Sequence, residues 1–301
     1  MSAAPRVVAK GLRFPEGPTL LDDGSIAVAE MQGESVSVVS QDGATRVLGD
    51  CGGGPNGTAL GADGAVYVAN NGGLSAGARG YWHAPREFDG CVQRIDPSGQ
   101  VTTVSPALPG PTPHRPNDIC FGPDGTLYVT DSANWENLKD IRAGHVVAIG
   151  PDGSIRQALE VPAMPNGMAF APDGATMYLA QSLTRRVLAV PVGTDGTLGE
   201  PRSLFTLPSG MPDGLAVAAD GRLYVCGSVG NAIYSLSPDG EALDTIETGE
   251  GTQPTNCCIG SDGALYVTFS VPGWLVAFDL GLSPAPVHRG SVTGSAAEVT
   301  S

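Results

Sequence analysis

One unit recurs six times along this chain: a polar residue, a short apolar run, an Asp-Gly turn and a second apolar run. The turns begin at Asp23, Asp63, Asp124, Asp173, Asp220 and Asp262, so they stand 40, 61, 49, 47 and 42 residues apart. Each is followed by a strand-like segment, such as Val66-Tyr67-Val68, Leu127-Tyr128-Val129 or Leu223-Tyr224-Val225. Asp-Gly between apolar runs is a strong hairpin signal, and a repeat of this period marks an array of similar units. A second turn recurs in the outer half of most units, at Asp42-Gly43, Ser98-Gly99, Asp152-Gly153, Asp195-Gly196 and Asp239-Gly240. Four strands per unit follow. The sixth unit has only three, and Arg6–Lys10 supplies the fourth from the other end of the chain, closing the ring and removing its edges.

The expected fold is therefore all-β: a single six-bladed propeller over residues 1–301, with four-stranded antiparallel blades. An insertion over residues 70–90 enlarges blade 2, and a Ser-, Pro- and Ala-rich tail over 282–301 is expected to fray. Forty-three Gly and 25 Pro against 16 % charged residues suit many short strands joined by tight turns. A net charge of −15 argues against nucleic acid or an anionic membrane as partner. The first residues contain no apolar leader core, and no run of about 18 apolar residues occurs, so a cytoplasmic location is expected. The six cysteines lack metal-type spacing and read as free, mostly buried thiols.

The register also predicts a site. Seven residues before each of the first five turns stand Glu16, Asn56, Asn117, Asn166 and Asp213, and six before the last stands Asn256. Seven residues at ~3.3 Å each span about 23 Å, roughly one blade height. The marked residues thus form a ring at the mouth opposite the turns. Turn chemistry accounts for an Asn before Gly, but not for Glu16. Two carboxylates among carboxamides on one axis repel one another unless a cation sits between them. With oxygen donors only, Ca²⁺ is expected first, and Mg²⁺, Mn²⁺ or Zn²⁺ are alternatives.

Four stretches, Phe14-Pro15-Glu16-Gly17-Pro18, Arg115-Pro116-Asn117-Asp118, Pro165-Asn166-Gly167-Met168 and Pro212-Asp213-Gly214-Leu215, resemble the ordered signatures of the regucalcin/gluconolactonase family, to which diisopropyl fluorophosphatase is related. The resemblance implies one divalent cation on Glu16, Asn166 and Asp213. Asn117 would be a fourth ligand or hold a water, and Arg115 would contact substrate. It also implies hydrolysis of a small-molecule, sugar-type lactone by an activated water, with Asp213 as the catalytic base. Asp131 stands in reserve as base and His114 is a weaker candidate. Tyr81, Trp82 and His83 in the insertion could lid the mouth. A phosphotriesterase- or aryl-esterase-like activity on the same metal, or a non-catalytic calcium-binding or protein-interaction propeller, are the alternatives.

Overall fold

The computed structural model describes residues 5–77 and 80–293, and six four-stranded antiparallel sheets form a six-bladed β-propeller. Blade 1 runs from the axis outward through Pro15–Leu20, Ile26–Glu30, Ser35–Val39 and Thr45–Asp50. The innermost strands of the next blades begin at Pro55, Pro116, Pro165, Met211 and Pro254. Blade 6 takes its outermost strand from the start of the chain: Arg6 pairs with Ala277 and Lys10 with Trp274. Helix is confined to two single 3₁₀ turns among the described residues. No helix there is long and apolar enough to cross a membrane.

The repeated Asp-Gly turn builds each hairpin in one way. The Asp carboxylate accepts the backbone N–H two residues on, as from Ser25, Ala65, Thr126, Ala175, Arg222 and Ala264. The following glycines sit at φ between +71° and +83°, where a Cβ would be strained. Each hairpin then closes on its own backbone, for example Leu21 N–H to the Ser25 carbonyl at 2.8 Å.

The apolar core is divided into six clusters, one for each contact between neighbouring blades. Tyr67 and Phe121 meet edge to face between blades 2 and 3, and Met177 and Tyr128 pack between blades 3 and 4. A blade is covered on both faces, so middle strands such as Ile26–Glu30 and Val66–Asn70 are buried at every position, while outermost strands such as Ala242–Glu247 stay wet.

Two features bear on the ends of the channel. The insertion in blade 2 forms a hairpin, Leu74–Gly77 with Gly80–His83, above the mouth. The tail was expected to fray from residue 282, but through residue 293 it crosses the turn-side end of the channel and touches all six blades. Leu282 and Ser283 bond Gly263 and Ala219, the Gly290 carbonyl accepts from Ala62 N–H, and Arg289 pairs with Asp22 at 2.7 Å. His288 packs edge-on to Phe170, and Val292 and Thr293 reach Tyr67 and Pro151. Backbone hydrogen bonds and isolated side-chain contacts hold this segment, which is why a sequence without an apolar period is still ordered. Beneath it lies an apolar cavity of about 200 Å³ faced by Leu60, Phe121, Phe170 and Pro286. Residues 294–301 lie outside the described residues.

Candidate functional site

Every innermost strand carries a one-residue bulge just beyond its proline. In blade 3, Pro116 pairs with Asp131 but Ile119 with Val129; in blade 4, Pro165 pairs with Gln181 but Met168 with Leu179. The extra residue breaks the ladder and turns the side chain after each proline toward the axis. Proline at or near the strand start costs no ladder bond there. The next position is glycine in four blades because neighbouring inner strands nearly touch: a Cβ on Gly17 would overlap the Asn56 carbonyl, and one on Gly167 the Asp213 carbonyl.

Blade 6 requires a correction. Its bulge falls between Pro254 and Asn256, and Cys257 pairs with Val267, so Thr255 occupies the ring position. Thr255 is also the residue seven before Asp262. Asn256 lies one step deeper, in the place Asp118 holds in blade 3. Each donates its backbone N–H to the hydroxyl oxygen of a threonine on the partner strand, Thr268 or Thr130, and each side chain accepts the next residue's N–H. Asp118 and Asn256 also bond each other, and Asp118 reaches Met168 N–H of blade 4 at 3.0 Å. This second layer pins three blades together under the ring.

Above it, Glu16, Asn56, Asn117, Asn166, Asp213 and Thr255 share one cavity of about 230 Å³. Burial and the neighbouring Asp213 push the Glu16 carboxyl well above the usual carboxylate range, against a hydrogen bond from Gly17 N–H. Burial raises Asp213 to about 7, although Ser228 and Asn166 donate to it. Asn56 Oδ1 is buried with no hydrogen-bond partner. Among the described residues no three His, Cys, Asp or Glu side chains cluster as a metal site; the donors here are mostly amides. Two mutually repelling carboxylates, an orphaned amide oxygen and an all-oxygen donor set fit a hard divalent cation.

The other candidates are dispersed. Arg115 is buried but does not line the cavity: its guanidinium donates to the carbonyls of Asn71 and His114 and stands 3.6 Å from Glu136. Asp131 and His114 also lie outside the cavity lining and pair with each other at 2.7 Å, and Asp131 accepts Arg115 N–H and Ala133 N–H. His83 faces solvent and meets Glu87 at 3.3 Å. Of the insertion aromatics, Tyr81 lines the mouth and stacks edge to face with Trp135 at 5.3 Å, whereas Trp82 does not line it. Trp135, Asn71, Ser228 and Thr255 were missed by sequence reasoning. Only Thr255 had a usable signal, its strict seven-residue spacing.

A family model described as SMP-30/Gluconolactonase/LRE-like region matches residues 14–271. The gluconolactonase of Zymomonas mobilis subsp. mobilis is 27 % identical over 236 residues, which span 72 % of this chain and 61 % of that protein. The 6-deoxy-6-sulfogluconolactonase of Pseudomonas putida is 34 % identical over 185 residues, 60 % of this chain and 62 % of that one. Both matches span less than two thirds of the curated relative. A calcium-binding protein, regucalcin, from Agrobacterium tumefaciens superposes with a TM-score of 0.76 at 20 % identity, covering 96 % of this chain and 97 % of that one, a likeness of fold. The family model covers most of the chain and all four ring motifs, and this protein therefore belongs to the SMP-30/Gluconolactonase/LRE-like family.

Proposed function

We propose that this protein hydrolyses lactones at the axial oxygen ring, with one divalent cation, Ca²⁺ first, held by Glu16, Asn117, Asn166 and Asp213. The observation that carries the reading is the ring itself: two buried carboxylates, each with a raised pKa, and their amide neighbours at the floor of one open cavity. The relatives named gluconolactonase and 6-deoxy-6-sulfogluconolactonase support the substrate class. When bound, the cation supplies Lewis-acid polarisation of an ester carbonyl and makes water more acidic.

The chain's own residues do the rest. Asn117 and Asn166 fix the carbonyl end of the ring by position. Asp213 accepts a proton as water adds to the carbonyl carbon; the ring C–O bond breaks, and the proton leaves on the released hydroxyl. Arg115 acts through Asn71, whose carbonyl it grips and whose loop forms one wall. Removing an electrostatic group of this kind costs about 10²–10³ in kcat. Asp213→Asn and Glu16→Gln are expected to lose at least that much lactone turnover while remaining folded by circular dichroism. Full turnover in Asp213→Asn would overturn the reading.

A further inference from the structure

We infer that the lactone taken by this site carries an apolar substituent, in contrast to a polyhydroxylated sugar lactone; the inference rests on the lactonase reading above. The carboxylates and amides of the ring lie at the floor. The walls above it are Phe14, Met31, Trp135, Leu138, Met164 and Met211. Several polar wall residues have already spent their donors on the protein, and the Gln253 carboxamide at the rim is the one left to a substrate among the described residues. Ser182 Oγ donates to the Pro212 carbonyl and Ser75 Oγ to the Ala76 carbonyl. Asn71 donates to the Leu74 carbonyl, and its own side-chain oxygen accepts Gly73 and Leu74 N–H. Arg115, the cation the motifs would send to a substrate hydroxyl, is turned away from the cavity.

The rim continues the pattern. At the loop joining second and third strands, blade 1 presents Gln32, but blades 4, 5 and 6 present Leu183, Val229 and Val271 at the equivalent position, 36 %, 62 % and 62 % exposed. Val229 holds φ +65°, a conformation a β-branched residue adopts only under constraint. Val271 lines a groove that shares Phe14, Ala76 and Gln253 with the cavity and adds Leu12 and Pro272 beside the polar Arg13, Gln32 and Ser270, so an apolar strip continues outward from the walls.

The cavity, about 230 Å³, has room for a small ring and a short chain, since an apolar cavity of ~150 Å³ accepts benzene. Hydroxyls of a polyol would be stripped of water here against carbon walls and committed donors, which costs affinity. A methylene in the same place gains it.

The test compares kcat/KM for γ-butyrolactones bearing hydrogen, propyl or hexyl at C4 with D-glucono-δ-lactone, in protein supplied with Ca²⁺ or Mn²⁺. The expected result is a rise of about threefold to fourfold per buried methylene, with the glucono-lactone slowest. Leu183→Gln, which copies blade 1, is expected to cut the hexyl-to-unsubstituted ratio about fivefold or more. Faster turnover of the glucono-lactone overturns the apolar assignment and leaves the lactonase reading standing. Turnover of none of them overturns the lactonase reading, and this inference with it. A change in oligomeric state by sedimentation in Leu183→Gln, with an unaltered ratio, assigns the rim to subunit contact and also overturns the inference.

Discussion

His114 Nδ1 lies 2.7 Å from Asp131 Oδ2, with the two side chains 4 % and 2 % exposed. Donating a hydrogen bond to the Asp131 carboxylate raises the His114 pKa above its usual value. Burial works to raise Asp131, but His114 and the N–H groups of Arg115 and Ala133 outweigh it and hold that carboxyl low. The histidine's contribution to stability is complete below about pH 6.5 and is lost as pH rises through its raised folded value. The aspartate's is complete above about pH 4 and is lost as pH falls through its lowered one. Thermal melts of wild type and His114→Gln are therefore expected to differ most near pH 5–6. A difference that stays constant from pH 5 to 9 contradicts an ionised pair.

Gly214 abuts Asn256 so closely that a Cβ would overlap the amide. Asn256 cannot swing away freely, being tied to Cys257 N–H and to Asp118. Gly214→Ala is expected to cost about 1–3 kcal/mol in urea unfolding, as overpacking does. Adding Asn256→Gly should return part of that loss, giving a coupling energy of at least ~0.5 kcal/mol in the double-mutant cycle. Strict additivity would mean the crowding is relieved elsewhere.

Arg115 touches the Asn71 loop and none of the four proposed ligands by hydrogen bond. Arg115→Ala and Arg115→Lys are expected to keep cation affinity by calorimetry within about threefold while raising KM or lowering kcat for the lactone. Partial recovery in the Lys variant would fit its single charge near Glu136. Unaltered turnover in both removes Arg115 from the account.

The tail closes the turn-side end, far from the ring. Truncation after Gly281 strips partners from Ala62 and Ala219 N–H and uncovers the apolar cavity at Phe121 and Phe170. A loss of about 3 kcal/mol would lower Tm by roughly 6–12 °C. Lactone turnover at 25 °C should persist in the truncated protein. An unchanged Tm would show that the crossing adds nothing to ring closure.

Much of this architecture was legible because a hairpin turn needs Asp-Gly chemistry, and the turn recurs where strands must reverse. The ring was legible for the same reason: a fixed strand length carries Glu16 and Asp213 from turn to mouth. Asn256 matches the ring by residue type but not by spacing; the bulge obeys spacing and selects Thr255. Trp135 and Leu138 lie in an irregular loop with no period to read. Arg115 follows its motif in sequence, yet its direction is set by Asn71 and Glu136, residues 44 and 21 positions away. The tail has no apolar period to read because backbone hydrogen bonds and single side chains such as His288, Arg289 and Val292 hold it.

The central claim is that the axial oxygens hold a divalent cation and that lactone hydrolysis depends on it. The most direct measurement is lactone turnover by pH-stat in chelator-stripped protein, resupplied in turn with Ca²⁺, Mg²⁺, Mn²⁺ and Zn²⁺. Turnover that vanishes on stripping and returns with one of these ions, but not in Asp213→Asn, is the predicted result. Undiminished turnover in the stripped protein would contradict it.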